Sequence, residues 1–484
     1  MVRSLMFQGT GSDVGKTIIV AGLCRAAYRR GIKVYPFKPQ NMSNNSAVAV
    51  EGGEIGRGQW LQALAAFVEP SVHMNPILLK PQSTTGSQII VQGQVFGKAN
   101  GHDYFKFKKT LMKPILESYS ILKQKAQLIL IEGAGSPAEI NLRAGDIANM
   151  GFAQEANVPV VLIGDIDRGG VIASIVGTHT ILAPPDKALI EGYIINKFRG
   201  DSSLFEEGFK AIEGFTGWPS FGMIPWLNDA RLLPAEDSLT LSQPVNTKSN
   251  KVIIAVPVTS HIANFDDLDP LRHEENVDVQ FIHKGHFIPD DAGLVVLPGS
   301  KSTIKAMEEL VENGWAAQIK KHANFGKPVI GICGGYQMLG EKISDPQSIE
   351  GTRKEITGLS LLKVTTVIKP HKIVHKKTAK SLLYNTPLDG YEIHMGETMG
   401  EDCKKPSVEI DGKLDGAISQ HGNVWGTYLH GLFENDLFRK RLLESLGSLS
   451  LNVNYMQNVH DALDNIATQL ETYLDIDALF ALAR

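Results

Sequence analysis

Two successive α/β domains, each built on a parallel doubly wound sheet, are predicted by three features of the sequence. Short apolar runs alternate with helical stretches through both halves of the chain. A glycine-rich loop joins the first apolar run to the first helix. Far downstream, a second strand-to-helix turn sets a cysteine between glycines. A length of 484 residues agrees with this division, because single hydrophobic cores stop growing at roughly 250–300 residues.

In the first half, residues 4–7, 34–37, 128–131, 158–163 and 192–195 read as buried strands, several ending in glycine or a polar cluster. Loops at the carboxyl ends of such strands are where an open α/β sheet binds its ligands. Residues 239–250 are polar and contain Pro244, the pattern of a linker. A second strand series follows at 252–256, 279–282, 293–297 and 329–332. In the tail, Leu463, Ile466, Leu470 and Leu474 recur at helical spacing, which predicts a docking helix. The expected division is an N-terminal domain over 1–238, the linker 239–250, a second domain over 251–447 and a helical tail over 448–484.

Composition narrows the function classes. Hydrophobic residues make up 43% and charged residues 21%, a globular balance, and the net charge of -4 gives no reason to expect nucleic acid or an anionic membrane as partner. No apolar run approaches the roughly 20 residues that span a bilayer, and the acidic tail argues against a membrane anchor. Residues 4–7 lead straight into the glycine-rich loop with no signal-peptide pattern. The three cysteines, Cys24, Cys333 and Cys403, form no Cys-x-x-Cys pair, which fits a reducing cytoplasm and predicts neither a zinc site nor a disulfide framework.

The glycine-rich loop reads Gly9-Thr10-Gly11-Ser12-Asp13-Val14-Gly15-Lys16-Thr17, between a strand and the helical run 18–30. Backbone N–H groups of such a loop face phosphate oxygens, and the helix N-terminus adds partial positive charge. This predicts ATP as ligand, with Lys16 reaching the β- and γ-phosphates and Thr17 holding Mg²⁺. Three further groups sit at predicted strand ends. Glu132 offers Mg²⁺ a hard oxygen ligand. Lys38 is placed to neutralise a transferring phosphoryl group. Asn196 and Lys197 lie where related folds contact the nucleotide base.

The usual P-loop has glycine where this chain has Thr10, with Gly9 displaced by one. That displacement resembles the loop of dethiobiotin synthetase and its relatives, which phosphorylate carboxyl or carbamate groups. Switch ATPases of the wider fold carry a signature lysine five residues before the loop lysine, a place held here by Gly11, which speaks against a switch that makes no product.

The fourth strand of the second series runs into Gly331-Ile332-Cys333-Gly334-Gly335, and a helical run follows. This is a nucleophile elbow with cysteine in place of serine, as in a class I glutamine amidotransferase-like α/β domain. The helix N-terminus favours the thiolate. Gly334 is placed to give one N–H to an oxyanion hole, and Gly299 and Ser300, ending another strand, are placed to give a second. Of fourteen histidines, His430, in Gly426-Thr427-Tyr428-Leu429-His430-Gly431, is the best base, with His394 the runner-up. Cys24 and Cys403 have no such context and read as structural.

Together the two loops resemble those of the cobalamin-pathway amidotransferases. The likeness extends over nearly the whole chain, through Phe37-Lys38-Pro39-Gln40-Asn41-Met42-Ser43-Asn44-Asn45, Asn75-Pro76-Ile77-Leu78-Leu79-Lys80-Pro81, Glu132-Gly133-Ala134-Gly135-Ser136-Pro137-Ala138-Glu139-Ile140-Asn141-Leu142, Gly164-Asp165-Ile166-Asp167-Arg168-Gly169-Gly170 and Tyr391-Glu392-Ile393-His394-Met395-Gly396. The resemblance implies amidation of the b, d, e and g carboxylates of adenosylcobyrinic acid a,c-diamide, giving adenosylcobyric acid, each step using one glutamine and one ATP. It implies small-molecule partners only: glutamine, ATP and the corrinoid diamide. Asn41, Lys80, Asp165 and Asp167 lie in these segments, and Asp146 in the loop that follows one of them, as candidate substrate residues, although an aspartate in such a loop often caps a helix instead. By the same carry-over Cys333 is the nucleophile and His430 its base. Ordinary class I glutaminases place a glutamate two residues after the histidine. Here that place is Leu432, with Glu434 four residues on, so a Cys–His dyad is expected and the third group stays unassigned.

Three rival readings fit the sequence less well. Within the same plan, an enzyme making the a,c-diamide is disfavoured by the Asn41–Asn45 segment and the short N-terminus. A switch ATPase is disfavoured by Gly11 and the elbow. A regulator with a dead glutaminase is disfavoured by the intact Cys333 and His430.

Overall fold

The computed structural model describes residues 2–81, 86–234, 251–449 and 454–484. The linker expected at 239–250 lies outside them. The chain divides into two units, one of Met1–Ser43, Ala49–Pro234 and Val459–Arg484, the other of Asn44–Val48 and Ala235–Asn458. Two parts of this differ from the sequence reading. A five-residue piece of the first half counts with the second unit, and the tail counts from Val459 with the first unit instead of standing alone from 448.

The sheet of the first unit holds β1 (Arg3–Gly9), β2 (Val34–Phe37), β3 (Leu128–Glu132), β4 (Val160–Asp165), β5 (Ile190–Phe198) and β6 (Ser220–Pro225). Their order is β2-β3-β1-β4-β5-β6, all parallel. A parallel sheet is covered on both faces, which is why Leu5, Met6, Phe7, Leu128, Ile129, Leu130 and Ile131 form unbroken apolar runs, each 0% exposed. Edge strand β6 was not expected from the sequence, since Pro219, Gly222 and Pro225 give it the look of a turn.

Register decides what meets at the carboxyl edge. Phe7 pairs with Glu132, Phe37 with Ile131, Gly9 with Ile163 and Asp165 with Asn196. Glu132, Lys38, Asp165, Asn196 and the loop after Gly9 therefore collect at one rim. The helix after that loop, Lys16–Arg29, packs against the helix Tyr455–Tyr473. A Cβ on Gly22 would lie 2.6 Å from Leu470 Cδ1 and 2.8 Å from Ile466 Cγ2, so glycine there sets the approach. Arg25 Nη2 and His460 Nδ1 stand 2.8 Å apart across the same seam.

The second unit repeats the plan with β7 (Val252–Pro257), β8 (Val277–Ile282), β9 (Leu294–Leu297), β10 (Val329–Ile332), β11 (Ala417–Ile418) and β12 (Val424–Thr427). The order is β8-β7-β9-β10-β12-β11, parallel except for the last pair. Alternate residues face opposite sides: Leu294, Val296, Ile330 and Ile332 join one core, Val295, Leu297 and Val329 the other. A long antiparallel hairpin, Val364–Ser381 with Thr386–Gly400, pairs at its second arm with Leu429–His430, setting Tyr391 opposite His430.

Candidate active sites

In the first unit the carboxyl edge forms one polar cluster around Glu132, which is 1% exposed. Oε1 of Glu132 accepts hydrogen bonds from Thr17 Oγ1 at 2.9 Å and Lys38 Nζ at 2.8 Å. Its Oε2 accepts from Gln62 Nε2 at 2.6 Å and Gln59 Nε2 at 3.3 Å. Asn41 Nδ2 donates to Gln59 Oε1 at 2.9 Å, which brings Asn41 into the network. A buried carboxylate must be paired or it neutralises, and here four donors converge on it. Thr17 and Glu132 together present the hydroxyl and carboxylate oxygens that suit a hard cation such as Mg²⁺.

The loop itself is shaped for close backbone approach. Gly15 has φ +95, and a Cβ there would lie 2.4 Å from Asn196 Nδ2, which donates to Val14 O at 2.8 Å. Thr10 N donates to Ile163 O at 2.9 Å. Lys16 Nζ donates to Gly11 O at 2.9 Å and Gly135 O at 3.1 Å, holding the ammonium over the loop. Lys197 Nζ donates to Asp165 Oδ2 at 2.8 Å and also to Asp13 O. Asp165 Oδ1 accepts from Asp167 N at 2.9 Å, and Asp167 pairs with Arg199 at 2.8 Å.

Lys80 pairs with Glu54 at 2.8 Å, both buried, on the strand Ile77–Pro81. Asp146 holds the turn that leads into the helix Met150–Ala156: Oδ1 accepts from Ala148 N at 2.8 Å and Asn149 N at 3.0 Å, and Oδ2 from Gly151 N at 2.8 Å. Gln59 and Gln62 were missed by sequence reasoning. Their signal was two glutamines three apart on a short helix, Arg57–Ala65, where both turn out 0% exposed. Burial raises the Cys24 thiol pKa far above its ordinary value, with the Glu132 charge a lesser cause, as befits a structural cysteine.

In the second unit Cys333 sits between β10 and the helix Gly334–Leu339 with φ 53 and ψ -109, a strained conformation for a non-glycine residue. The flanking glycines are steric requirements. A Cβ on Gly335 would lie 1.8 Å from Leu297 O, and one on Gly334 would lie 2.8 Å from Ser300 N. The same close approach sets Gly334 beside the Ser300 amide, the two positions read as oxyanion donors. Gly299 and Ser300 are held by pairing with Ala263 and Ile262.

His430 Nδ1 lies 2.7 Å from Asp267 Oδ2, and Gly431 N donates to Asp267 Oδ1 at 2.8 Å. Side chains of the pair are 2% and 1% exposed. Burial opposes the imidazolium, but the Asp267 charge and hydrogen bond outweigh it, with Cys333 adding to the effect, and His430 is pushed up to about 10. The Tyr391 ring stacks on the imidazole at 5.1 Å. Cys333 Sγ also lies 3.4 Å from Ile393 O. The runner-up, His394, is engaged elsewhere: Nδ1 is 3.0 Å from Gly396 O, Nε2 is 3.4 Å from Glu392 Oε1, and its ring stacks on Tyr428 at 3.8 Å.

Sequence reasoning left the third group unassigned; the carboxylate that meets His430 is Asp267. It comes from the turn Phe265–Leu268, 163 residues before the histidine, while Leu432 is fully buried in the apolar core. The sequence signal was an acidic run, Asp266-Asp267-Leu268-Asp269, with nothing to link it to His430.

Both halves of the chain match known families. Residues 5–241 match the CobQ/CobB/MinD/ParA nucleotide binding domain, and residues 253–438 match the CobB/CobQ-like glutamine amidotransferase domain. A cobyric acid synthase from Brucella anthropi is 59% identical over 100% of both chains. A cobyric acid synthase from Rhizobium etli is 60% identical over 98% of both.

Proposed function

We propose, from the premise that the chain belongs to the cobyric acid synthase family, that it amidates the b, d, e and g carboxylates of adenosylcobyrinic acid a,c-diamide to give adenosylcobyric acid. It is an ATP- and glutamine-dependent amidating enzyme of cobalamin biosynthesis. The observation that carries the residue-level reading is the line Cys333–His430–Asp267, buried at the carboxyl ends of a parallel sheet.

A carboxylate is a poor acyl electrophile because attack on it must expel oxide. Transfer of the ATP γ-phosphoryl group to the carboxylate makes phosphate the leaving group, which ammonia then displaces. In this reading the loop from Gly9 to Thr17 cradles the phosphates, Lys16 and Lys38 balance charge on the transferring group, and Asn196 and Lys197 border the base. Mg²⁺ held by Thr17 and Glu132 would supply Lewis-acid neutralisation of the phosphates.

Ammonia comes from glutamine. The Cys333 thiolate attacks the amide carbon, and the N–H groups at Gly334 and Ser300 receive the oxyanion. His430, held by Asp267, gives its proton to the departing nitrogen, and water then cleaves the thioester. We also assign the activity to the cytoplasm, where ATP is made and the free thiols Cys24, Cys333 and Cys403 stay reduced.

A coupled assay tests the scheme by measuring glutamate release and ATP hydrolysis with and without the corrinoid diamide. Cys333→Ala should abolish glutamine use and keep amidation from added ammonia. Continued glutamine use would remove the nucleophile assignment, and loss of ammonia-supported activity would remove the two-site scheme.

A further inference from the structure

Asn44–Val48 belongs to the second unit although its chain neighbours, Ser43 and Ala49, belong to the first. Within that unit it meets Asn264. Asn264 N donates to Asn45 Oδ1 at 2.8 Å, and Asn264 Nδ2 donates to Ser46 O at 2.7 Å and to Tyr391 Oη at 3.0 Å. Asn45 and Asn264 are 1% and 3% exposed. Asn264 takes the left-handed conformation, φ 52, immediately before the turn Phe265–Leu268, and its carbonyl accepts from Asp267 N at 3.2 Å.

Asn264 thus touches both groups that hold the imidazole. It anchors the turn that carries Asp267, whose carboxylate binds His430 Nδ1, and it binds the hydroxyl of Tyr391, whose ring stacks on His430. We propose that Asn45, acting through Asn264, is a positioning residue for His430 in glutamine hydrolysis. The glutaminase is completed by a segment that lies, in sequence, inside the nucleotide-binding half.

The physical reason is the N–H of Asn264. A buried donor needs an acceptor, and Asn45 Oδ1 fills that place at a residue whose left-handed backbone is itself less favoured. Without the acceptor the turn relaxes and moves Asp267. Displacement of a base by a fraction of an ångström lowers the rate of the chemical step, whereas glutamine binding is left alone.

The inference rests on reading Cys333 and His430 as the glutaminase pair, and the test separates the two. Glutamate release and ammonia-supported amidation are measured on the full chain for Asn45→Ala, Asn45→Asp, Tyr391→Phe and Cys333→Ala. Asn45→Ala should lower kcat for glutamine about tenfold with KM changed less than about twofold and with ammonia-supported amidation intact. Asn45→Asp, which keeps the acceptor oxygen, should recover most of that loss. Tyr391→Phe keeps the stacked ring and should lower kcat about threefold, which decides the matter if Asn45→Ala does not fold. The inference is overturned if both variants keep wild-type kcat, if Asn45→Asp is as slow as Asn45→Ala, or if the ammonia-supported rate falls in parallel. Glutamine use by Cys333→Ala would instead overturn the underlying reading.

Discussion

Asp267→Asn is the sharpest probe of the second unit, because the substitution changes charge and leaves volume almost unchanged. In the native protein His430 is held at about 10 against an ordinary value of 6.5, burial opposing and Asp267 prevailing. One pKa unit corresponds to ~1.36 kcal/mol, so the net preference for imidazolium is ~5 kcal/mol, to order of magnitude. Removing the Asp267 carboxylate deletes the two largest contributions that raise the pKa, and burial then drives the imidazole to its neutral form. The Cys333 thiolate still attracts the proton, so the loss falls short of that ceiling. An asparagine amide facing Nδ1 also favours the wrong tautomer. We expect kcat for glutamine hydrolysis to fall roughly 10²- to 10³-fold, or about 3–4 kcal/mol in the barrier. The rate of the variant should depend on pH around neutrality, where its imidazole is no longer held protonated, whereas the wild type, with His430 held at about 10, is flat there. The assay is glutamate release across a pH series, with ammonia-supported amidation as internal control. A variant within about threefold of wild type near neutral pH would refute the assignment, and so would an equal fall in the ammonia-supported rate.

Two further outcomes are expected. Lys38→Met removes an ammonium 2.8 Å from Glu132 at a site where both side chains are buried. It should destabilise the protein by about 3–5 kcal/mol and abolish amidation from either nitrogen source. Denaturant titration and ammonia-supported turnover check this, and wild-type turnover with ammonia would count against any role for Lys38 in phosphoryl transfer. His273 is depressed to about 4, by burial first and then by Arg272 and Arg439. Because the folded imidazole refuses a proton that the unfolded chain accepts, its contribution to stability is complete above about pH 6.5 and is lost as pH falls towards 4. His273→Gln should flatten the dependence of unfolding free energy on pH over that window, and an unchanged slope would show that other groups control acid sensitivity.

Much of this was legible in the sequence, for physical reasons that also explain what was not. Buried parallel strands must be apolar on both faces, so β1, β3 and β10 announce themselves as short unbroken runs. The phosphate loop and the elbow are local devices: both need glycines within a few residues of the functional group, so one stretch of chain carries the whole signal. Strand β6 was hidden because an edge strand tolerates Pro219, Gly222 and Pro225, which elsewhere mark turns. Gln59 and Gln62 were hidden because glutamine is ordinarily a surface residue. Only the position of Glu132, opposite Phe7 in the register, reveals why two glutamines are needed inside. Asp146 is the reverse case. A loop aspartate near a family-like segment looks functional, yet its oxygens serve three backbone amides.

The carboxylate that meets His430 comes to it through contact in the fold and not through spacing in the sequence. The usual place for its carboxylate, two residues after the histidine, is occupied by Leu432, which is 0% exposed and packed among apolar side chains. A glutamate there would be a buried charge without partners, at a cost of several kcal/mol. Asp267 reaches Nδ1 from a separate turn, Phe265–Leu268, and also uses its second oxygen. By accepting from Gly431 N it also fixes the backbone turn that follows His430, where φ is 81. One carboxylate therefore sets ring orientation, tautomer and main-chain path together. A glutamate two residues on would share the chain with the histidine and move with it. A carboxylate from a separate turn holds the histidine against a different part of the unit, one that Asn264 in turn ties to Asn45 and Tyr391. That arrangement makes the geometry of the base depend on residues far away in sequence, which is why alanine at Asn45 is expected to slow a reaction whose substrate it does not touch.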